Sequence, residues 1–440
     1  MQKPLIAVLL AGAFFSLDAG AADLLQVYQQ ALANDATFAS ARASAAAGRE
    51  RITQGRAGLL PTVAVSGDIT KNDTDFSPWN NTGTANSNLR TNEIQIALTQ
   101  PLFRWDRWET YQQSKLQQAI AEAQFAQAQQ DLITRVAQAY FDVLAAQDTL
   151  DSTRAQKEAT TEQLASAKRN FEVGTQTITD THEAQAAYDL VVSQELAAVN
   201  DLENKKTALQ AIIGTPPSAL ATLRAGVNLK APEPINVDQW VSAAENQNYA
   251  VTVAQLSLES AKRDISKNRA GHYPTLDLVA SSLHRDINGQ TTSSGKTTNN
   301  AIGIQYSIPI FNGYAVTSRV RESIALEDKA RNDLEANRRN AALTARQSFL
   351  GVNTGLAQVK ALEAAEVSSN SALESNKLGY QVGVRINIDV LNAQRQLYQT
   401  QTDLAKARYN TILSGLKLKA AAGALREEDL QPINALLQQP

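Results

Sequence analysis

The chain has 440 residues, of which 43% are hydrophobic and only 6% aromatic, with a formal net charge of −3. That apolar content permits a buried core, and the near-neutral charge gives no reason to expect nucleic acid, which a basic patch would announce. There is no cysteine, so a disulfide frame, a thiolate metal site and a cysteine nucleophile are all excluded.

In chain order, the first feature is a secretory signal over residues 1–21. Lys3 supplies the positive start, residues 5–15 the apolar run, and Ala19, Gly20 and Ala21 the small-residue cleavage site. The run falls short of the roughly 20 apolar residues that span a bilayer as a helix, and nothing later approaches that length.

Residues 22–213 form a first unit, with a helix, strands at about 62–72 and 91–103, a long helix, a turn and a returning helix. In the second strand Ile94, Ile96 and Leu98 share one face, with Glu93, Gln95, Ala97 and Thr99 on the other. The aromatics Phe103, Trp105 and Trp108 cluster where this strand ends. Residues 102–215 then lack proline, which would break a helix, and Leu132, Val136, Tyr140 and Val143 recur at helical spacing. A helix over 105–171 would be about 100 Å long at 1.5 Å per residue, too long for an ordinary globular element.

A proline-bearing linker at 214–236 leads to a second unit, 237–423, and a tail, 424–440. The second unit repeats the first, with strands at about 275–285 and 300–311. Ile302, Ile304, Tyr306, Ile308 and Ile310 line one strand face, and Phe311 and Tyr314 close it. Tyr398, Thr402, Ala405, Tyr409, Ile412 and Leu416 make a heptad seam in the last long helix, and Gly351 and Gly355 leave room for a close neighbour. The two copies are plainest at their turns. Phe171, Val173, Gly174, Asp180 and Gln185 are matched 209 residues later by Tyr380, Val382, Gly383, Asp389 and Gln394. Asp389, opening the last long helix, also fits an N-cap.

Alternating strands of about ten residues with aromatic ends are the mark of outer-membrane barrels. Four strands cannot close a barrel, and an open edge cannot face lipid, so the chain must share its barrel with copies of itself. Two copies give 8 strands and three give 12.

The paired Pro-Thr strand starts (Pro61-Thr62 and Pro274-Thr275), Ala139-Tyr140-Phe141, the stretch from Asn170 to Gly174 and the stretch from Val382 to Asn392 together resemble the TolC family of outer-membrane channels. The resemblance extends over essentially all of the chain after residue 21. It implies an α-dominated α+β membrane protein: a homotrimer with a 12-stranded barrel in outer-membrane lipid, a long periplasmic α-helical barrel below it, and an equatorial domain built from 214–236 and the tail. It implies a passive exit duct for type I secretion and drug efflux, served by a periplasmic adaptor and an inner-membrane transporter.

The resemblance also assigns residues. Gln163, Thr179, Asp180, Tyr380 and Arg385 would hold the periplasmic tip closed, with a charge-assisted bond between Arg385 and Asp180. Asp389 and Asn392 would line the constriction, Asn392 standing where the family has a second acidic ring. The turns Val173-Gly174 and Val382-Gly383 would meet the adaptor, and Phe103, Trp105, Trp108, Phe311 and Tyr314 would sit at the membrane interface. His182, His272 and His284 are scattered without ligand spacing, and no catalytic constellation is present, so neither metal, cofactor nor enzymatic activity is expected. The alternative is a soluble periplasmic coiled-coil adaptor or scaffold. The four alternating segments argue against it, because such a protein has no use for lipid-facing hairpins.

Overall fold

The computed structural model describes residues 21–76, 79, 85–224, 226–289 and 294–438; residues 1–20 of the signal expected at 1–21 and the tips of the two strand-connecting loops lie outside them. The first unit contains α1 (Leu24–Asn34), α2 (Ala36–Ala57), β1 (Thr62–Phe76), β2 (Ala85–Phe103), α3 (Trp105–Glu172) and α4 (Ile178–Ile213). After a short β3 (Thr222–Leu223) the second unit follows the same order. It contains α5 (Val237–Gln247), α6 (Tyr249–Arg269), β4 (Thr275–Gly289), β5 (Gly295–Ser307), α7 (Ala315–Gln381) and α8 (Asn387–Ala421), before α9 (Leu430–Asn434) and β6 (Leu437–Gln438).

The repeat extends to the caps. Asp35 ends α1 and opens α2, its carboxylate accepting from the Phe38 N–H at 2.6 Å. Asn248, 213 residues later, ends α5 and opens α6 in the same way, accepting from the Ala250 N–H at 2.9 Å. A short polar side chain at such a break satisfies an orphan donor that would otherwise be left bare. Each long helix, 68 residues in α3 and 67 in α7, runs about 100 Å. Each is flanked along one part by a strand-side helix (α2, α6) and along another by the returning helix of its own turn (α4, α8). Small residues let α7 and α8 approach: a side chain added at Gly355 would run into the Thr411 hydroxyl.

The four long strands form one antiparallel sheet in the order β1-β2-β4-β5, so β1 and β5 are free edges. Its register places Val63, Val65, Ile96, Leu98, Ile302, Ile304 and Tyr306 on one face, most of them widely exposed. The other face is polar, with Asp68, Gln95, Glu93 and Arg285, the last two ion-paired. The strands run further than expected at their loop ends, because antiparallel pairing continues through polar residues such as Lys71 opposite Arg90 and Asp73 opposite Asn88. Apolar alternation reports only the stretch with an apolar face. The last of the four is displaced from its expected span, beginning at Gly295 and stopping at Ser307 before Pro309, which has no N–H to give a ladder.

The main core lies about midway along α3. Leu132, Val136, Tyr140 and Phe141 pack there with Leu24 and Val27 of α1, Leu209 of α4 and Leu416 of α8. The linker and the tail meet at this level. β3 pairs with β6, the Arg224 N–H donates to the Leu436 carbonyl at 3.0 Å, and Ala22 bridges Leu220.

Deeper along the same seam, the Tyr409 hydroxyl of α8 donates to Asp148 of α3 at 2.6 Å. Burial pushes the Asp148 carboxyl above its usual range, and the Tyr409 bond and nearby Arg408 only partly offset this. A carboxyl raised on folding contributes stability that is fully present below its unfolded pKa and lost as pH rises through the higher folded value. Asp148→Asn keeps an acceptor for Tyr409 and removes the buried charge. Its thermal midpoint is therefore expected to exceed that of the wild type near pH 7 and to match it near pH 4; equal midpoints at both would show that folding does not raise the Asp148 carboxyl.

Candidate gate at the tip turns

The two turns are built alike on their entering side. In the first, the Thr175 N–H donates to Asn170 O at 2.9 Å and the Gly174 N–H to Phe171 O at 3.0 Å. In the second, the Val384 N–H donates to Gly379 O at 2.9 Å and the Gly383 N–H to Tyr380 O at 3.1 Å. Both are Schellman closures, and the left-handed residue each requires is glycine, with φ of +76° at Gly174 and +80° at Gly383. Val173, Val382, Val384 and Ile386 project from the turns, exposed.

On the leaving side the copies diverge. Thr177 caps α4 in a capping box with Asp180, whose carboxylate takes both the Thr177 hydroxyl (2.8 Å) and its N–H (3.1 Å). At the corresponding place α8 has Ile386, which offers no side-chain cap. Asp389 is therefore in the first turn of α8 and is not its N-cap. There it lies at the positive end of the helix dipole, and Arg385 Nη1 is 3.7 Å from its carboxylate.

These facts correct one expectation within the chain. Arg385 does not bond Asp180, because the Asp180 carboxylate is committed to Thr177 and the guanidinium turns one helical turn on to Asp389. Other expected residues do join the halves. Gln163 Nε2 of α3 donates to Asn387 Oδ1 at 2.6 Å, and Gln176 Nε2 donates to the Tyr380 hydroxyl. Thr179 is exposed at the turn, and Asn392 is exposed one turn beyond Asp389. Arg385, Asp389 and Asn392 line one groove between α7 and α8.

Two participants were not anticipated, Asn387 and Gln176. Asn387 Nδ2 donates to the Asp180 carbonyl at 3.0 Å, and the residue is completely buried. Beside it Leu164, Ala167, Ala184 and Leu391 make a small apolar cluster drawn from α3, α4 and α8. The only signal for Asn387 in the sequence is its departure from the copy, which has Ile178 in that position.

The aromatics expected at a membrane interface gather at the opposite end, where sheet gives way to helix. Phe103 ends β2, Trp105 and Trp108 open α3, and Tyr314 precedes α7 with its ring edge-on to Phe311 at 5.6 Å. All five are exposed.

A four-stranded sheet with one apolar exposed face and two free edges, carried on coils about 100 Å long, defines a subunit of an outer-membrane channel. The chain belongs to the outer membrane efflux protein family, whose model matches residues 27–215 and 240–424. It is 34% identical to the outer membrane protein TolC of Escherichia coli K12 over 97% of this chain and 87% of that protein. It is 29% identical to the proteases secretion protein PrtF of Dickeya chrysanthemi over 96% of this chain and 93% of that one. The fold matches the CmeC outer membrane channel of Campylobacter jejuni with a TM-score of 0.80, at 19% identity, over 94% of this chain and 90% of that one. The chain is thus an outer-membrane channel of efflux and type I secretion that extends into the periplasm, and it is not an enzyme.

Proposed function

We propose that three copies close the sheet into a 12-stranded barrel and the helices into a periplasmic tube, gated at the tip turns. The observation that carries this reading is the sheet itself. Its free edges β1 and β5 run antiparallel to each other, so edge-to-edge addition of copies continues the alternation without a mismatch. Its Val63, Val65, Ile302 and Ile304 face would meet lipid, while Asp68, Glu93 and Arg285 would line water. Two copies would close only 8 strands, whose interior side chains fill, whereas a duct for large cargo needs a wider barrel.

In this assembly Gln163, Thr179, Asp180, Tyr380 and Arg385 belong to the closed tip, and Asp389 with Asn392 to its constriction. The exposed Val173-Gly174 and Val382-Gly383 turns are the surface on which a periplasmic adaptor, recruited with an inner-membrane transporter, would bear. Contact there draws the second-half coils away from the first and widens the opening. Cargo is protein or small molecule according to the transporter engaged. The test is single-channel conductance of the purified protein in a planar bilayer, with and without its adaptor. A low conductance that the adaptor raises supports the reading; absence of channels, or recovery in the soluble periplasmic fraction after osmotic shock, overturns it.

The constriction yields a further expected result. Each Asp389 has Arg385 at 3.7 Å, so the single carboxylate ring is partly neutralised. Asn392→Asp adds a second ring without added cations. Block by multivalent cations is expected to tighten about tenfold or more, a change that needs only about 1.4 kcal/mol. An unchanged blocking concentration would mean that residue 392 does not face the pore.

A further inference from the structure

We propose that Asn387 is the latch that holds each subunit's second-half coil against its first half when the tip is closed. The proposal rests on the gate reading above and names the side chain that sets the closed position. Asn387 is the first residue of α8 and has no exposed surface. Its carbonyl oxygen accepts from Gln163 Nε2 of α3 at 2.6 Å, and its amide nitrogen donates to the Asp180 carbonyl of α4 at 3.0 Å. One side chain therefore ties α8 to both helices of the other half. Other polar bonds across the α3–α8 seam lie nearer the equator: Tyr409 to Asp148 at 2.6 Å and Ser152 to the Tyr398 carbonyl at 3.2 Å. The tip end is closed by Asn387, by the apolar cluster of Leu391, Leu164 and Ala184, and at the turns by Gln176 donating to the Tyr380 hydroxyl.

The chemistry suits a latch better than a glue. An amide buried with both its atoms satisfied accepts one register, since sliding either coil would leave a desolvated donor and acceptor unpaired. A single buried asparagine fixes register in coiled coils for the same reason. When the coils part, water reaches the amide, Gln163 and the Asp180 carbonyl, so the bonds lost are replaced and opening remains reversible. The first-half copy of this position is Ile178, exposed on the turn. The first half thus carries no latch of its own; it is the fixed side, receiving through Gln163 and Asp180.

The test compares single-channel conductance of the wild type with Asn387→Ile, the residue found in the copy, and with Gln163→Leu. A severalfold rise in conductance is expected for Asn387→Ile, and a smaller rise for Gln163→Leu, which leaves the bond to Asp180. The double variant should conduct no more than Asn387→Ile alone, because both changes open one link. Thermal midpoints of the assembled protein are read alongside; a merely structural residue would lower the midpoint and leave conductance unchanged. If Asn387→Ile does not assemble, Gln163→Leu decides. Wild-type conductance in the variants that assemble overturns the latch, whereas a wild type that forms no channels overturns the duct reading beneath it.

Discussion

Arg104→Ala is expected to destabilise the protein by about 3–5 kcal/mol, the cost of leaving one member of a buried ion pair alone. Arg104 stands between β2 and α3, and its guanidinium grips Asp277 of β4 through both carboxylate oxygens, with Nε donating to Oδ1 at 3.0 Å. The pair is unequal in its access to water. The Asp277 side chain is 8% exposed and that of Arg104 is 28% exposed. Removing the arginine leaves without its partner a carboxylate that is only 8% exposed. Removing the aspartate leaves a long cation that can snorkel outward, so Asp277→Ala is expected to cost less. Adding Asp277→Asn to Arg104→Ala should recover much of the loss, because a neutral amide is far cheaper to bury than a charge. Thermal unfolding of the four proteins checks this; equal losses in the two single variants would show that the carboxylate is hydrated after all. The pair matters to the channel because it fixes the start of the first-half long helix to a second-half strand where sheet passes into helix.

That lock was not legible in the sequence, and the reason is physical. The repeat identifies what the two halves share, and this pair is something they do not share: by the same offsets Arg104 is matched by Asn312 and Asp277 by Ala64. The same blindness hid Asn387, whose copy is Ile178. What was legible depended on local physics. The turn glycines were readable because the left-handed cap at Gly174 and Gly383 admits few other residues. The long helices were readable because proline is missing for over a hundred residues, and the central parts of the strands because one face had to be apolar. The strand ends beyond Asn72 and before Thr91 were not readable, since polar residues facing water on both sides carry no alternation. Asp389 was misplaced by three residues because Ile386 takes the cap position without capping chemistry, which no propensity would favour.

The divergence between halves also supplies the asymmetry that the proposed gate requires. A tube of identical hairpins would have no reason to open at one coil and not the other. Here the first turn is braced internally by Thr177 and Asp180, while in the second Arg385 pairs with Asp389 and Asn387 reaches across to the first half. The braced half and the other half are distinguished above all where Ile386 replaces Thr177 and Asn387 replaces Ile178 within a shared backbone.

The opening proposed for the tip would need a fixed point, and Tyr140 at the main core is placed to supply it. This residue has no exposed surface, lies about midway along α3, and sets its ring edge-on to Phe141 at 5.6 Å. Phe141 in turn stacks on Tyr409 of α8 at 5.4 Å. The Tyr140 hydroxyl donates to the Ala221 carbonyl at 2.7 Å and lies 3.3 Å from that of Ala22, so it holds the linker and the chain's first described segment against the long helix. β3 and β6 have two residues each and cannot hold the strap on their own. Tyr140→Ala is therefore expected to cost about 3–5 kcal/mol through the cavity it leaves. Its specific signature should be rapid proteolysis within 214–236. Tyr140→Phe keeps the ring and should cost about 1 kcal/mol, with the linker still protected. Were the linker of Tyr140→Ala as resistant to protease as that of the wild type, the strap would be held by other contacts and the fixed point would lie elsewhere along α3.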